Sequence, residues 1–283
     1  MNRRLAVISG CSSGFGLLST VELARRGYFV VATMRDLSRR QQLDAALASS
    51  GVSESVSVRR LDVTETASHA EFAAGIAAEY GRIDVLVNNA GFAFAGFAED
   101  VSLDELRRQM ETNFFGAVSL TQAVLPVMRR QRSGRILMLS SVGGRSAAPG
   151  LSSYAASKFA LEGYTESLCQ ELRPLGIDCV LIEPGSFETG IWYHADNLAA
   201  RASDPASPNL ERSRRFRSYV QHTLKRNDAH EVARLIASLA DHPRPRLRYV
   251  AGRDAKLTLI LRSLLPWRTF ERIVAGVLKL DSQ

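Results

Sequence analysis

Tyr154 and Lys158, in the run Ser152-Ser153-Tyr154-Ala155-Ala156-Ser157-Lys158, stand four residues apart. On a helix that spacing puts both side chains on one face, close enough to act together. A phenol alone is a poor acid or base near neutral pH, because its pKa is ~10. An ammonium beside it favours the phenolate and lowers that value, each tenfold change being worth ~1.4 kcal/mol. Such a pair can exchange a proton with an alcohol or carbonyl oxygen while a hydride moves elsewhere. A surface helix also carries Tyr and Lys at this spacing by chance, so the pair takes its meaning from the rest of the chain.

A second set of residues speaks of a bound anion. The first apolar run leads straight into Ser9-Gly10-Cys11-Ser12-Ser13-Gly14-Phe15-Gly16, which opens a helix. Glycines let the backbone turn sharply and approach a pyrophosphate, and a helix N-terminus attracts negative charge. Asn88-Asn89-Ala90-Gly91 ends another apolar run, Ser140-Ser141 a third, and Pro184-Gly185 with Thr189 a fourth.

Strands and helices must alternate to bring these segments together. Short apolar runs at 5–9, 28–33, 55–60, 84–87, 135–139, 178–182 and 247–250 predict seven strands, the third polar enough to lie nearer an edge. Helices are predicted at 14–26, 38–50, 66–80, 102–132 with a bend at Pro126, 153–173 and 229–240. The alternation predicts an α/β fold: a single doubly wound parallel seven-stranded sheet with helices on both faces. Residues 186–227 lack a strand signal and read as a helical lid with a loop at 204–208 and a basic helical stretch at 210–225. An amphipathic helical extension occupies 256–283, interrupted at Pro266, beyond a catalytic domain at 1–255.

Composition narrows the class. The 283 residues are 46% apolar, enough for a sizeable core. The odd set Cys11, Cys169 and Cys179 has neither metal-ligand nor disulfide spacing, which predicts a reduced cytoplasmic protein without a metal. Met1 to Arg4 lead directly into the first strand, so no signal segment is expected, and no apolar run is long enough to span a membrane. The net charge of +7 is spread along the chain without a nucleic-acid motif, so a solvated surface is the better reading.

The spacing Gly-x-x-x-Gly-x-Gly, the Asn-Asn-Ala-Gly turn, Asn113, Ser141, Tyr154, Lys158 and Pro184-Gly-x-x-x-Thr189 together resemble the short-chain dehydrogenase/reductase family over residues 3–252. Ser9 stands where that family usually has Thr and keeps the hydroxyl. The resemblance implies a catalytic set of Asn113, Ser141, Tyr154 and Lys158. It also implies a dinucleotide held by Gly10, Ser12, Ser13, Gly14, Phe15, Gly16, Asp62, Val63, Asn89, Ala90, Gly91, Pro184, Gly185 and Thr189, with Tyr154 and Lys158 at its nicotinamide ribose. Tyr154 would be the acid or base and Ser141 a hydrogen-bond donor to the substrate oxygen. Asn113 would hold a water linking Lys158 to solvent.

Cofactor choice is read at the end of the second strand. Enzymes using NAD place a carboxylate there for the ribose 2′-hydroxyl, but Ala32-Thr33-Met34-Arg35-Asp36 has Met34 and then Arg35. A guanidinium suits a 2′-phosphate, with Arg39, Arg40 and Ser13 as further partners and Asp36 beginning the loop. NADP(H) is therefore expected over NAD(H). Within the family, the early motifs look closest to the hydroxysteroid and retinol dehydrogenase branch, implying a bulky apolar carbonyl or alcohol, steroid-, retinoid- or polyketide-like. Phe92, Phe94, Phe97, Phe187, Ile191, Trp192 and Tyr193 would line such a pocket or serve as ordinary packing. The apolar tail implies packing on the domain or subunit contact in a homodimer or homotetramer, ahead of a cover for the substrate mouth or membrane contact. The alternative function is a catalytically silent, dinucleotide-sensing regulator, although such proteins usually lose the Tyr or Lys that this chain keeps.

Overall fold

Each predicted apolar run forms a strand, and the seven pair in parallel. They are β1 (Leu5–Ile8), β2 (Phe29–Met34), β3 (Val56–Arg60), β4 (Val85–Asn88), β5 (Gly134–Leu139), β6 (Ile177–Pro184) and β7 (Arg248–Ala251). Their order is β3-β2-β1-β4-β5-β6-β7. The computed structural model describes residues 3–189 and 197–278. Period-two alternation feeds two apolar layers: Leu5 and Val7 join one, Ala6 and Ile8 the other. Helices α1 (Gly14–Arg25), α2 (Gln41–Ser49) and α8 (Ala229–Asp241) complete the layer on one face. Helices α3 (His69–Tyr80), α5 (Gly116–Gln131) and α6 (Ser152–Leu172) complete the other. Burial on both faces is why the inner strands read as continuous apolar runs; β3 and β7, at the two edges, are the partly exposed exceptions.

The long helix expected over 102–132 is one helical run with a change of register. Helix α4 (Leu103–Met110) starts at a capping box, in which Glu105 N donates to Ser102 Oγ and Ser102 N to the Glu105 carboxylate. Residues Glu111–Phe115 then widen into π geometry before α5 resumes and continues through Pro126 to Gln131. The departure from α geometry thus sits at Asn113 rather than at Pro126, and π turns of this kind re-aim side chains.

The segment after β6 carries helix α7 (Leu210–Ser218) followed by a π turn at Tyr219–Thr223. The chain ends its described part with α9 (Arg253–Leu264) and α10 (Trp267–Leu278), broken at Pro266. Phe216 and Val220 pack with Leu278 and Val274 in a small third apolar cluster. The basic stretch is therefore anchored by one apolar face, and the tail braces it. Of the tail's other apolar side chains, Phe270 is buried, while Leu257, Ile260, Leu264, Trp267, Ile273 and Val277 stay exposed. No described helix is long and apolar enough to cross a membrane. Ile191, Trp192 and Tyr193 lie outside the described residues.

Candidate active site

Every motif singled out above falls at the C-terminal end of a strand or on the helix that follows, on both sides of the point where strand order reverses between β1 and β4. Ser9 Oγ accepts from the backbone N–H groups of Asn89 and Ala90 (3.1 and 3.0 Å), and Asn89 Nδ2 donates to the Ser9 and Gly10 carbonyls (2.9 Å each). The hydroxyl that Ser9 keeps thus ties the two turns into one unit. Gly10 has φ +73°, and a Cβ there would lie 2.9 Å from Ala90 Cα, so both conformation and space require glycine. A Cβ on Gly16 would run into the Gly10 carbonyl and Asn89 Nδ2. Gly16 therefore works from behind the turn, outside the cleft. Helix α1 has no acidic residue in its first turn, and its cap Ser13 makes no side-chain cap bond, so its N–H groups and positive dipole end suit an anion.

A cleft of about 460 Å³ runs across these turns. Met34, Arg35, Arg39, Asp62 and Val63 line one end. In the order of the strands they follow, Gly10, Ser12, Ser13, Gly14, Phe15, Asn89, Ala90 and Gly91 line the middle and Ser141, Tyr154, Lys158, Pro184 and Gly185 the other end; Thr189, Phe92 and Phe187 also line the cleft. Arg40 departs from expectation: it does not line the cleft but pairs with Asp44 (2.7 Å), one turn along on its own helix. Asp36 caps the turn after β2, accepting from Ser38 N (2.9 Å) and Ser38 Oγ (2.7 Å), which holds its carboxyl below the usual range.

Among the residues expected to act, Ser141, Tyr154 and Lys158 converge. Ser141 Oγ accepts from Gly143 N at 3.0 Å, while Lys158 Nζ donates to the Leu139 carbonyl at 2.6 Å and lies 5.8 Å from the centre of the Tyr154 ring. Asn113 is buried behind them. Its Oδ1 accepts from Phe92 N, and its Nδ2 donates to the Phe92 carbonyl and to Ser157 Oγ (2.9–3.0 Å). These bonds use both amide protons and leave one lone pair of Oδ1 for the expected water.

The family profile described as short chain dehydrogenase matches residues 4–197. The chain belongs to the short-chain dehydrogenase family. Over nearly its whole length this dehydrogenase is 44% identical to the uncharacterized oxidoreductase YusZ of Bacillus subtilis, covering 97% of the chain and 98% of that protein. It is 46% identical to human retinol dehydrogenase 8 over 66% of the chain and 60% of that relative. To human 17-beta-hydroxysteroid dehydrogenase type 1 it is 36% identical over 88% of the chain and 77% of the relative. A solved short-chain dehydrogenase from Streptomyces avermitilis superposes with a TM-score of 0.80 at 32% identity, covering 96% of this chain and 98% of that one.

The structure corrects one electrostatic expectation for this dehydrogenase. Burial, not the neighbouring ammonium, dominates at Tyr154 and pushes its hydroxyl above the usual phenol range, with a hydrogen bond to Ser141 acting the other way. Lys158 donates to the Leu139 carbonyl, not to Tyr154, so dehydration outweighs its pull. The same burial brings the Lys158 ammonium down to about 8, with the charge of Glu162 opposing. Sequence reasoning also passed over Gln109. Fully buried, it accepts from Phe94 N (2.8 Å) and donates to the Phe92 carbonyl (2.7 Å). Its spacing of one helical turn from Asn113 was the available signal. Ser157, inside the Tyr–Lys motif, donates to the Tyr154 carbonyl at 2.7 Å and so couples Asn113 to α6.

Proposed function

We propose that the protein is an NADP(H)-dependent oxidoreductase that interconverts a carbonyl and an alcohol on a bulky apolar substrate. The observation that carries this reading is the placement of Ser141, Tyr154 and Lys158 at one end of a cleft whose middle is an anion-binding turn and whose far end carries Arg35 and Arg39. The close glycine approach and the open helix N-terminus fit a pyrophosphate. With Met34 in place of a carboxylate, Arg35, Arg39 and Ser13 suit a 2′-phosphate. When bound, the dinucleotide supplies or accepts the hydride.

The chain's own residues manage the oxygen and its proton. Tyr154, held as a phenol, donates to the carbonyl oxygen as negative charge grows there, and Ser141 donates a second hydrogen bond to the same oxygen. Lys158 stabilises the phenolate left behind and, by family resemblance, holds the nicotinamide ribose. Phe92 and Phe187 line the cleft and give an apolar substrate a dry wall. The relatives named for retinol and for 17-beta-hydroxysteroids support a retinoid- or steroid-like shape.

Loss of NADPH absorbance with a panel of lipophilic ketones tests the reading. Tyr154→Phe should bind NADPH nearly as well as wild type yet lose ~10²–10⁴-fold in kcat. Retention of a tenth or more of wild-type kcat would remove Tyr154 from the acid role.

A further inference from the structure

Behind the cleft lies a buried ionic cluster that the chemistry above does not use. Glu162 follows Lys158 by one turn of α6, its side chain only 7% exposed, and Glu183 on β6 is fully buried. Arg248 on β7 meets three carboxylates: Glu162 Oε2 at 3.0 Å, Glu183 Oε1 at 3.3 Å and Glu166 Oε2 at 2.7 Å. Arg145, in the segment after β5, meets Glu183 Oε2 at 3.2 Å. Glu162 Oε1 is buried and takes no hydrogen bond from any described residue. The fold makes room for this acid at Gly144. A Cβ there would lie 2.8 Å from Ser140 Oγ, 3.0 Å from Glu162 Cγ and 3.1 Å from the Lys158 carbonyl.

We propose that Glu162 is a positioning residue, the counter-charge that keeps Lys158 an ammonium in a site where water is excluded. This rests on the reading of Tyr154 and Lys158 as the proton-transfer pair. A buried ammonium is costly unless an opposite charge lies close by. Among the described residues, Lys158 meets the Tyr154 ring on its own helix and the charge of Glu162. Glu166 on α6, Glu183 on β6, Arg145 after β5 and Arg248 on β7 complete the cluster behind Glu162. Glu183 is pushed up by burial and then by the charge of Glu162. Arg248 fixes Glu162 in place while sharing its own charge among three acids.

The test compares Glu162→Gln with Glu166→Gln. Both remove a partner of Arg248, but only the first removes the charge next to Lys158. The chain has four lysines, so carbon-13 labelling at lysine Cε gives a simple spectrum in which Lys158 is assigned by its loss in Lys158→Met. The titration of Lys158 should move down by about one pH unit in Glu162→Gln, stay in place in Glu166→Gln and return toward wild type in Glu162→Asp. The alkaline limb of kcat for ketone reduction should move with it, giving about a fivefold loss at pH 8 and little change at pH 6. An unmoved Lys158 titration in a folded Glu162→Gln protein overturns the proposal, as does an equal shift in Glu166→Gln. A titration that moves while the kinetic limb stays put upholds Glu162 as the counter-charge and instead counts against Lys158 as the group that governs turnover.

Discussion

Replacing Lys158 with methionine should make the protein more stable and much less active. Lys158 is 5% exposed, and burial brings its ammonium from the ordinary 10.5 to about 8. At ~1.4 kcal/mol per tenfold change in proton affinity, holding that charge in the folded state costs about 3 kcal/mol at neutral pH. Methionine has a similar length and no charge. It forfeits the bond to the Leu139 carbonyl, worth ~1 kcal/mol, so the net gain should be about 2 kcal/mol, or several degrees in Tm for a chain of this size. The sign with pH is fixed by the depressed value. Between about 8 and 10.5 the unfolded wild-type chain binds the lysine proton more tightly than the folded one, so wild-type stability rises with pH there. The advantage of Lys158→Met is therefore full below pH 8 and fades as pH climbs toward 10.5. Urea melts of both proteins at pH 7 and pH 10, with turnover measured on the same samples, give the comparison. A variant less stable than wild type at pH 7, or a difference that does not change with pH, refutes the reasoning.

Two further outcomes are expected. Arg35→Ala combined with Met34→Asp should swing kcat/KM from NADPH toward NADH by about 2–3 kcal/mol, the scale of lost charge-assisted bonds plus an added repulsion; a wild type that already prefers NADH would show the loop misread. Residues 197–227 should exchange amide hydrogens faster than α6 in the free protein and slow when NADPH and a ketone bind, as expected of a lid over the strand ends. Anchors such as Ser207 Oγ donating to the buried Asp100 (2.6 Å) and Arg212 stacked 4.4 Å over Phe97 should protect their neighbours first. Slow exchange throughout this segment without ligand would show a rigid element instead.

The inner strands were legible because each is a short, largely apolar run, as burial on both faces requires. The turns were legible for a related reason: only glycine fits at Gly10 and Gly16, so the backbone's needs are written directly in residue type. The Tyr154–Lys158 pair shows through because one helix carries both members at a fixed spacing. What depends on several elements at once did not show. The charge states of Tyr154 and Lys158 follow from how completely β5, β6 and α6 exclude water, and no local pattern encodes dehydration. The register change at Asn113 serves contacts with Phe92 and Ser157 from two other segments. Glu162, Glu183, Arg145 and Arg248 come from four parts of the chain and read separately as ordinary surface charges. Local geometry is set by neighbours in sequence, whereas the energy of a charge is set by everything that surrounds it, and only the tertiary structure supplies those surroundings.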